Sequence, residues 1–277
     1  LVPNIIFVSI SGFGEEGPYA HQRVYDGVIQ ALSGLAEIQA DRDTGRPRMV
    51  RTIVPDKTTA LTAAQAVTAA LFARERTGEG QHVRLAMLDT MVSYLWPEAS
   101  SSLSFVGHER DPDHTQQASD LVFATRDGYI TAGAVSDTEW NGLCRALRRN
   151  DLIDDVRFAT AAARVEFVVE RRNIMNTEIA KWQSVEILAR LDREGVPSAP
   201  ILNRTEVIDD AQVRRNGIIE EHNDPVLGRI RQPRPAARFE ATPSSIRSMA
   251  PCLGADNYAI LSELGYGRDE IDRLIGD

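Results

Sequence analysis

Lysine is almost missing from this chain. Of 31 basic residues only Lys57 and Lys181 are lysine, a bias that reads as coding composition and carries no function. Cysteine is equally scarce. Cys144 and Cys252 stand far apart in no metal-like spacing, so they define no disulfide framework and fit a reducing cytoplasm. An excess of positive charge is absent too. The net charge of -9 excludes general nucleic-acid binding, which needs a basic surface. An anionic ligand would have to be met by locally placed arginines. No apolar run reaches membrane-spanning length and no signal peptide opens the chain, so neither a membrane partner nor export is expected. The H-E-x-x-H, G-x-S-x-G, Walker and zinc patterns are all lacking.

What is present is a chain of 277 residues, 43% apolar and 26% charged, which suffices for a sizeable core in one large domain or two smaller ones. It opens LVPNIIFVSIS, without methionine and directly into a strand-like run, so an upstream segment is expected. The β-branched stretch NIIFVSIS (4–11) reads as a buried parallel strand. VYDGVIQALSGLAEI (24–38) reads as a helix, and ADRDTGRPRMVR (40–51) as a surface loop. Residues 56–77 form the clearest helix, with Leu61, Ala64, Val67 and Leu71 as its apolar stripe, Gly78 as its stop, and seven alanines that imply close packing. QHVRLAML (81–88) follows as a strand and 89–103 as a helix broken at Pro97. This order predicts an α/β core.

Beyond about residue 104 the character changes. HERDPDHTQQASD (108–120) is polar, LVFATRDGYITAGAV (121–135) is a hairpin around Asp127-Gly128, and helices are expected over 137–149, 160–181 and 184–195. Residues 197–202 read as extended. Thr205 and Gly217 bracket another helix, 218–233 suggests a hairpin, and 256–276 is helical with a break at 265–267. The expected organisation is a large α/β domain over 1–105 with an open parallel sheet, a smaller α+β domain over 106–220, and a return to the large domain over 221–277.

Three places carry candidate chemistry. GFGEEG (12–17) matches G-x-G-x-x-G after a strand, but Pro18 follows the last glycine where a dinucleotide site needs a continuing helix, and Glu15 and Glu16 repel a pyrophosphate. A turn above the sheet is expected instead. HERDPDH (108–114) offers two histidines and two aspartates around Pro112, and that setting reads as a solvated loop. Asp56 stands where an apolar strand end meets the alanine-rich helix. Two readings fit it. As an N-cap, its oxygens would accept N–H bonds from the first helical turn. As a fixed carboxylate at the positive end of a helix, it would serve as a nucleophile.

The blocks SGFGEEGPY (11–19), Val54-Pro55-Asp56 and TGEGQ (77–81), together with GVPSAPI (195–201) and PCLGADNYAILSELGY (251–266), resemble the family III CoA-transferases, the CaiB/BaiF group that includes formyl-CoA and carnitine CoA-transferases. The resemblance spans nearly the whole chain. It implies that Asp56 is the nucleophile, carrying an aspartyl-CoA thioester, and that acyl-CoA and a small carboxylic acid are the substrates, with no permanently bound cofactor and no metal. It implies CoA contacts at Arg23, Tyr25 and Met87. By their residues alone, Arg23 also reads as a surface cation, Tyr25 as helix packing and Met87 as a core methionine. The resemblance further implies a homodimer of interlocked rings. Three departures stand out: the nucleotide-binding stretch that the family carries ahead of residue 1 is not in this chain, polar residues 108–120 take the place of the glycine-rich lid, and Lys57 follows the aspartate where the family has a small or apolar residue. Two alternatives remain beside the transferase. An acyl-CoA racemase of the same fold pairs the distant aspartate with a histidine that stands just ahead of another aspartate; this chain has Tyr25-Asp26 at that place, and tyrosine is a poor acid/base at neutral pH. A non-catalytic subunit of a split protein is the other.

Overall fold

β-Branched and aromatic residues at Ile6–Ser11 build β1, which pairs in parallel with β2 (Gln81–Ala86), in a register running from Ile6 opposite Gln81 to Ser11 opposite Ala86. Parallel pairing requires a crossover connection. Here the crossover holds α1 (Asp26–Leu32), α2 (Leu35–Ile38) and α3 (Val54–Thr77), and α4 (Met87–Leu95) follows β2 directly. The computed structural model describes residues 2–41, 44–97, 99–109 and 121–276. It divides the chain into two compact units, Leu1–Leu121 with Ala162–Arg171 and Val122–Ala161 with Arg172–Asp277. The parallel sheet and the helices packed on it make this a mixed α/β protein, as expected.

Within the first unit, Ile29, Leu35 and Met91 form a buried cluster against which Phe13, Val24, Val50, Val54, Met87, Leu88 and Leu95 pack. α3 packs on β1, β2, α1 and α4. The face it turns inward is not the expected stripe. Thr59 and Ala70 are buried and Ala63, Ala66 and Ala73 half-buried, whereas Leu61 is 74% exposed and Leu71 and Phe72 also face outward. Only small side chains let a helix approach closely packed strands, so the alanines mark the inner face and the leucines the outer one. The single helix expected over 24–38 is two, separated at Ser33-Gly34. The strand expected over 81–88 ends at Ala86, so Met87 is the first residue of α4 and not the end of a strand.

The remaining elements, in chain order, are β3 (Val122–Ala124), β4 (Tyr129–Ala132), α5 (Asp137–Ala146), α6 (Ala161–Glu166), α7 (Val168–Ile179), α8 (Ser184–Arg193), β5 (Ser198–Pro200), α9 (Glu206–Asp209), α10 (Ala211–Asn216), β6 (Ile219–Asp224), β7 (Gly228–Pro233), α11 (Asn257–Glu263) and α12 (Arg268–Ile275). In the second unit β3, β4 and β5 form an antiparallel sheet in that order, covered by α8, which also packs on α5. The Asp127-Gly128 hairpin is there, and it has a second task. The Asp127 carboxylate accepts from the Ser184 backbone N–H at 2.7 Å and caps α8. That backbone bond, joined by the Ser184 hydroxyl, holds its carboxyl below the usual carboxylate range. A full capping box opens α5, Ser136 with Glu139. The Thr205 cap is not made. Asn203 Oδ1 instead accepts from the N–H groups of Thr205 and Glu206, and Asp210 caps α10 through Gln212 and Val213, because Asn and Asp outrank Thr as caps. β6 and β7 form the expected second hairpin.

Candidate active site

Asp56 is not the cap of its helix. α3 begins at Val54, its N-cap residue is Ile53, and no side chain of that residue reaches back to it. Asp56 is therefore the third residue inside the helix. The first N–H groups of any helix have no intrahelical partner. In α3 each is answered from elsewhere. The Val54 N–H donates to Thr52 O at 2.9 Å, Pro55 has none to offer, and the Lys57 N–H donates to Ile53 O at 3.2 Å. The Asp56 N–H donates at 3.2 Å to Oδ2 of Asp26, thirty residues earlier. The helix start is thus satisfied without the Asp56 side chain. Among the described residues its carboxylate makes no hydrogen bond or ion pair, and it is exposed.

Asp26 is the opposite case. It is 9% exposed, and both of its oxygens are engaged. Oδ1 accepts from Gln30 Nε2 at 2.6 Å, while Oδ2 takes the Asp56 N–H. Asp26 and Gln30 lie four residues apart, on one face of α1. Gln30 in turn clamps the segment ahead of α3. Its Oε1 accepts from the Val50 N–H at 2.9 Å, and Nε2 also lies 3.2 Å from Val50 O and 3.3 Å from Thr52 O. A buried carboxylate is costly unless hydrogen-bonded, and this one is. Neither Gln30 nor this role of Asp26 is evident from motif reading. The available signal is two polar residues at helical spacing beside the apolar Ile29.

The parallel strands end side by side at Ser11 and Ala86, so the loop after β1 and the start of α4 meet there. The Leu88 N–H donates to Gly12 O at 3.0 Å. Gly12 has to be glycine, since a Cβ there would stand 2.4 Å from Cγ1 of Val24. The stretch after it, through residue 22, is turns and bends and not a helix, as the Pro18 argument required. In α/β folds, ligands bind outside the carboxyl ends of the strands.

Of the four residues singled out from sequence, Met87 packs on the buried cluster and the other three have chain neighbours that do. Val54, two residues before Asp56, and Val24, between Arg23 and Tyr25, both pack on Ile29, Leu35 and Met91. Met87 packs on it directly and is half-buried, which accords with its reading as a core methionine. Tyr25 is 82% exposed, so it does not pack its helix. Arg23 is exposed as well. Lys57 Nζ donates to Thr52 Oγ1 at 3.1 Å. Of the HERDPDH stretch, residues 110–114 lie outside the described residues. Among the described residues no group of three or more His, Cys, Asp or Glu side chains is placed to hold a metal, and no helix is long and apolar enough to cross a membrane.

An exposed carboxylate on the first turn of a long helix, without a partner among the described residues, meets known proteins at this point. Succinyl-CoA:glutarate CoA-transferase of Mus musculus is 32% identical over 280 residues, covering 99% of this chain and 64% of that protein. Succinate–glutarate CoA-transferase of Agrobacterium fabrum is 32% identical over 272 residues, covering 95% and 66%. The chain therefore spans just under two thirds of the length of these curated relatives. A solved structure of a CaiB/BaiF family protein from Brucella suis superposes with a TM-score of 0.76 at 29% identity, covering 95% of this chain and 68% of that one. The family described as CoA-transferase family III matches residues 1–257, and to that family the chain belongs.

Proposed function

We propose that the chain carries the nucleophilic half-site of an acyl-CoA:carboxylate CoA-transferase, with Asp56 as the residue that takes the acyl load. The observation that carries this reading is the division of labour at α3: Asp26 does the capping, and the Asp56 carboxylate is exposed and uncommitted. An Asp56 oxygen attacks the thioester carbonyl of the donor, the C–S bond breaks, and CoA leaves as thiolate with a mixed anhydride behind it. The thiolate attacks the Asp56 carbonyl, releases the donor acid and forms an aspartyl-CoA thioester. The acceptor carboxylate attacks that thioester and expels CoA thiolate, which returns to the acceptor's carbonyl. New acyl-CoA departs and Asp56 is free again.

Arg23 and Tyr25, exposed on the loop that enters α1, are the residues we assign to CoA. The guanidinium pairs with a phosphate and the phenol ring offers an apolar face. The mouse and Agrobacterium relatives both act on dicarboxylic acids by their names, which makes succinyl-CoA with glutarate the first pair to offer. The racemase alternative is less well supported, because the place of its histidine is held by Tyr25, which is exposed and a poor acid/base at neutral pH.

The test is chemical trapping. Succinyl-CoA with hydroxylamine should convert Asp56 to its hydroxamate, identified by mass spectrometry of the peptide that contains it. Turnover without any hydroxamate at Asp56, or no transfer at all with any acyl-CoA, would refute the proposal.

A further inference from the structure

We infer that Asp26 is a positioning residue for Asp56, holding the backbone of the nucleophile from outside its helix. The inference rests on the proposed CoA-transferase function and names a residue to which that function assigns no role.

Three donors meet at this corner, and their arrangement leaves one side-chain type that can serve. Gln30 cannot turn its amide, because Oε1 must face the Val50 N–H while Nε2 faces Val50 O and Thr52 O. Its N–H₂ group is therefore turned on Asp26 Oδ1. The second donor to Asp26 is the Asp56 N–H. Two donors converging on one side chain require two acceptor oxygens, and an ionised carboxylate has two and no donor. Asparagine has one. With asparagine at position 26, an N–H₂ group must face either Gln30 Nε2 or the Asp56 N–H, donor against donor.

The link to chemistry is geometric. A nucleophile acts when its oxygen is held close to the carbonyl carbon along the line of attack, and a displacement of about 1 Å costs roughly a hundredfold in rate. Among the described residues the Asp56 side chain has no bond of its own that fixes it. Its direction is set by its backbone, and its backbone N–H is tied to a buried, doubly bonded carboxylate on another helix.

The experiment uses the full chain and rapid-mixing measurement of the first acyl transfer from succinyl-CoA to Asp56. The wild-type chain must form the adduct. If it does not, the proposed function fails, whereas the variants bear on the positioning role alone. For Asp26→Asn we expect the rate constant of adduct formation to fall roughly 10- to 100-fold. The amplitude, which counts chains able to react, and the KM for succinyl-CoA should hold near wild type. Asp26→Glu keeps both acceptors on a longer arm and should recover part of the rate. An Asp26→Asn chain with the wild-type rate constant overturns the inference. So does one whose amplitude falls while its rate constant holds, since that is loss of fold and not of aim. Amide hydrogen exchange of Asp56 in the wild-type chain decides the matter should the variants not fold: slow exchange is expected, and exchange as fast as an exposed amide overturns the inference.

Discussion

Asp56→Ala is expected to lose CoA transfer by on the order of a thousandfold or more, with nearly unchanged stability. The two halves of that statement come from different observations. The loss follows from removing the carboxylate that accepts the acyl group in the proposed route. The unchanged stability follows from the position of the side chain. It is exposed, it bonds to nothing described, and the N–H it would cap as an N-terminal residue is met by other groups. What the substitution removes from the fold is the interaction of a negative charge with the helix dipole, about 0.3–1 kcal/mol. A cap would behave in reverse, with a loss of about 0.5–2 kcal/mol and no direct effect on chemistry. Urea unfolding and succinyl-CoA turnover on the same preparation separate the two. A destabilised and fully active variant would return Asp56 to a structural role.

Gly80→Ala is expected to produce the largest loss of stability of any single methyl group added to the first unit. Gly80 is the fourth residue of the TGEGQ block, directly before β2, and its N–H donates to Pro3 O at 3.1 Å. A Cβ at this position would lie 2.0 Å from Ile5 O and 2.6 Å from the carbonyl carbons of Asn4 and Ile5. These are backbone atoms, so no rotamer change relieves the overlap. The strand must move, and this is where the ladder between β1 and β2 begins, with Ile6 opposite Gln81. Overpacking of this kind costs about 3 kcal/mol or more. The urea midpoint of the purified variant reads it directly, and a midpoint within error of wild type would mean that the strand start yields easily. Because Ser11 and Ala86 close the same ladder at its other end, the variant should lose transferase activity with its stability, in contrast to Asp56→Ala.

Much of this fold was legible because its signals are local. The β-branched run gave β1, Pro18 ruled out a helix after the glycines, Gly78 marked the end of α3, and Asp127-Gly128 gave a hairpin. Asp56 was legible as a residue with two readings and no further. What removed the cap reading, the bond from the Asp56 N–H to Asp26, joins residues thirty apart and has no local trace. The stripe of α3 misled for a physical reason. Hydrophobicity ranks leucine above alanine, but α3 packs close against two strands and two helices, and close approach selects threonine and alanine inward. Thr205 misled because two better caps, Asn203 and Asp210, stand near it in the chain.

The clamp at Asp26 and Gln30 also has a bearing on how the protein loses activity. α1 has seven residues, too few to persist as an isolated helix, and it exists through the burial of Ile29 and the bonds of this corner. α3 has 24 residues, and the helices of the second unit add to the helical signal. Local melting of α1 would therefore leave most of the spectroscopic helix in place while releasing the aim of Asp56. Under mild heat or denaturant, loss of the proposed transfer activity is expected to run ahead of the loss of ellipticity, so that the persistence of α1 sets the working range of the chemistry.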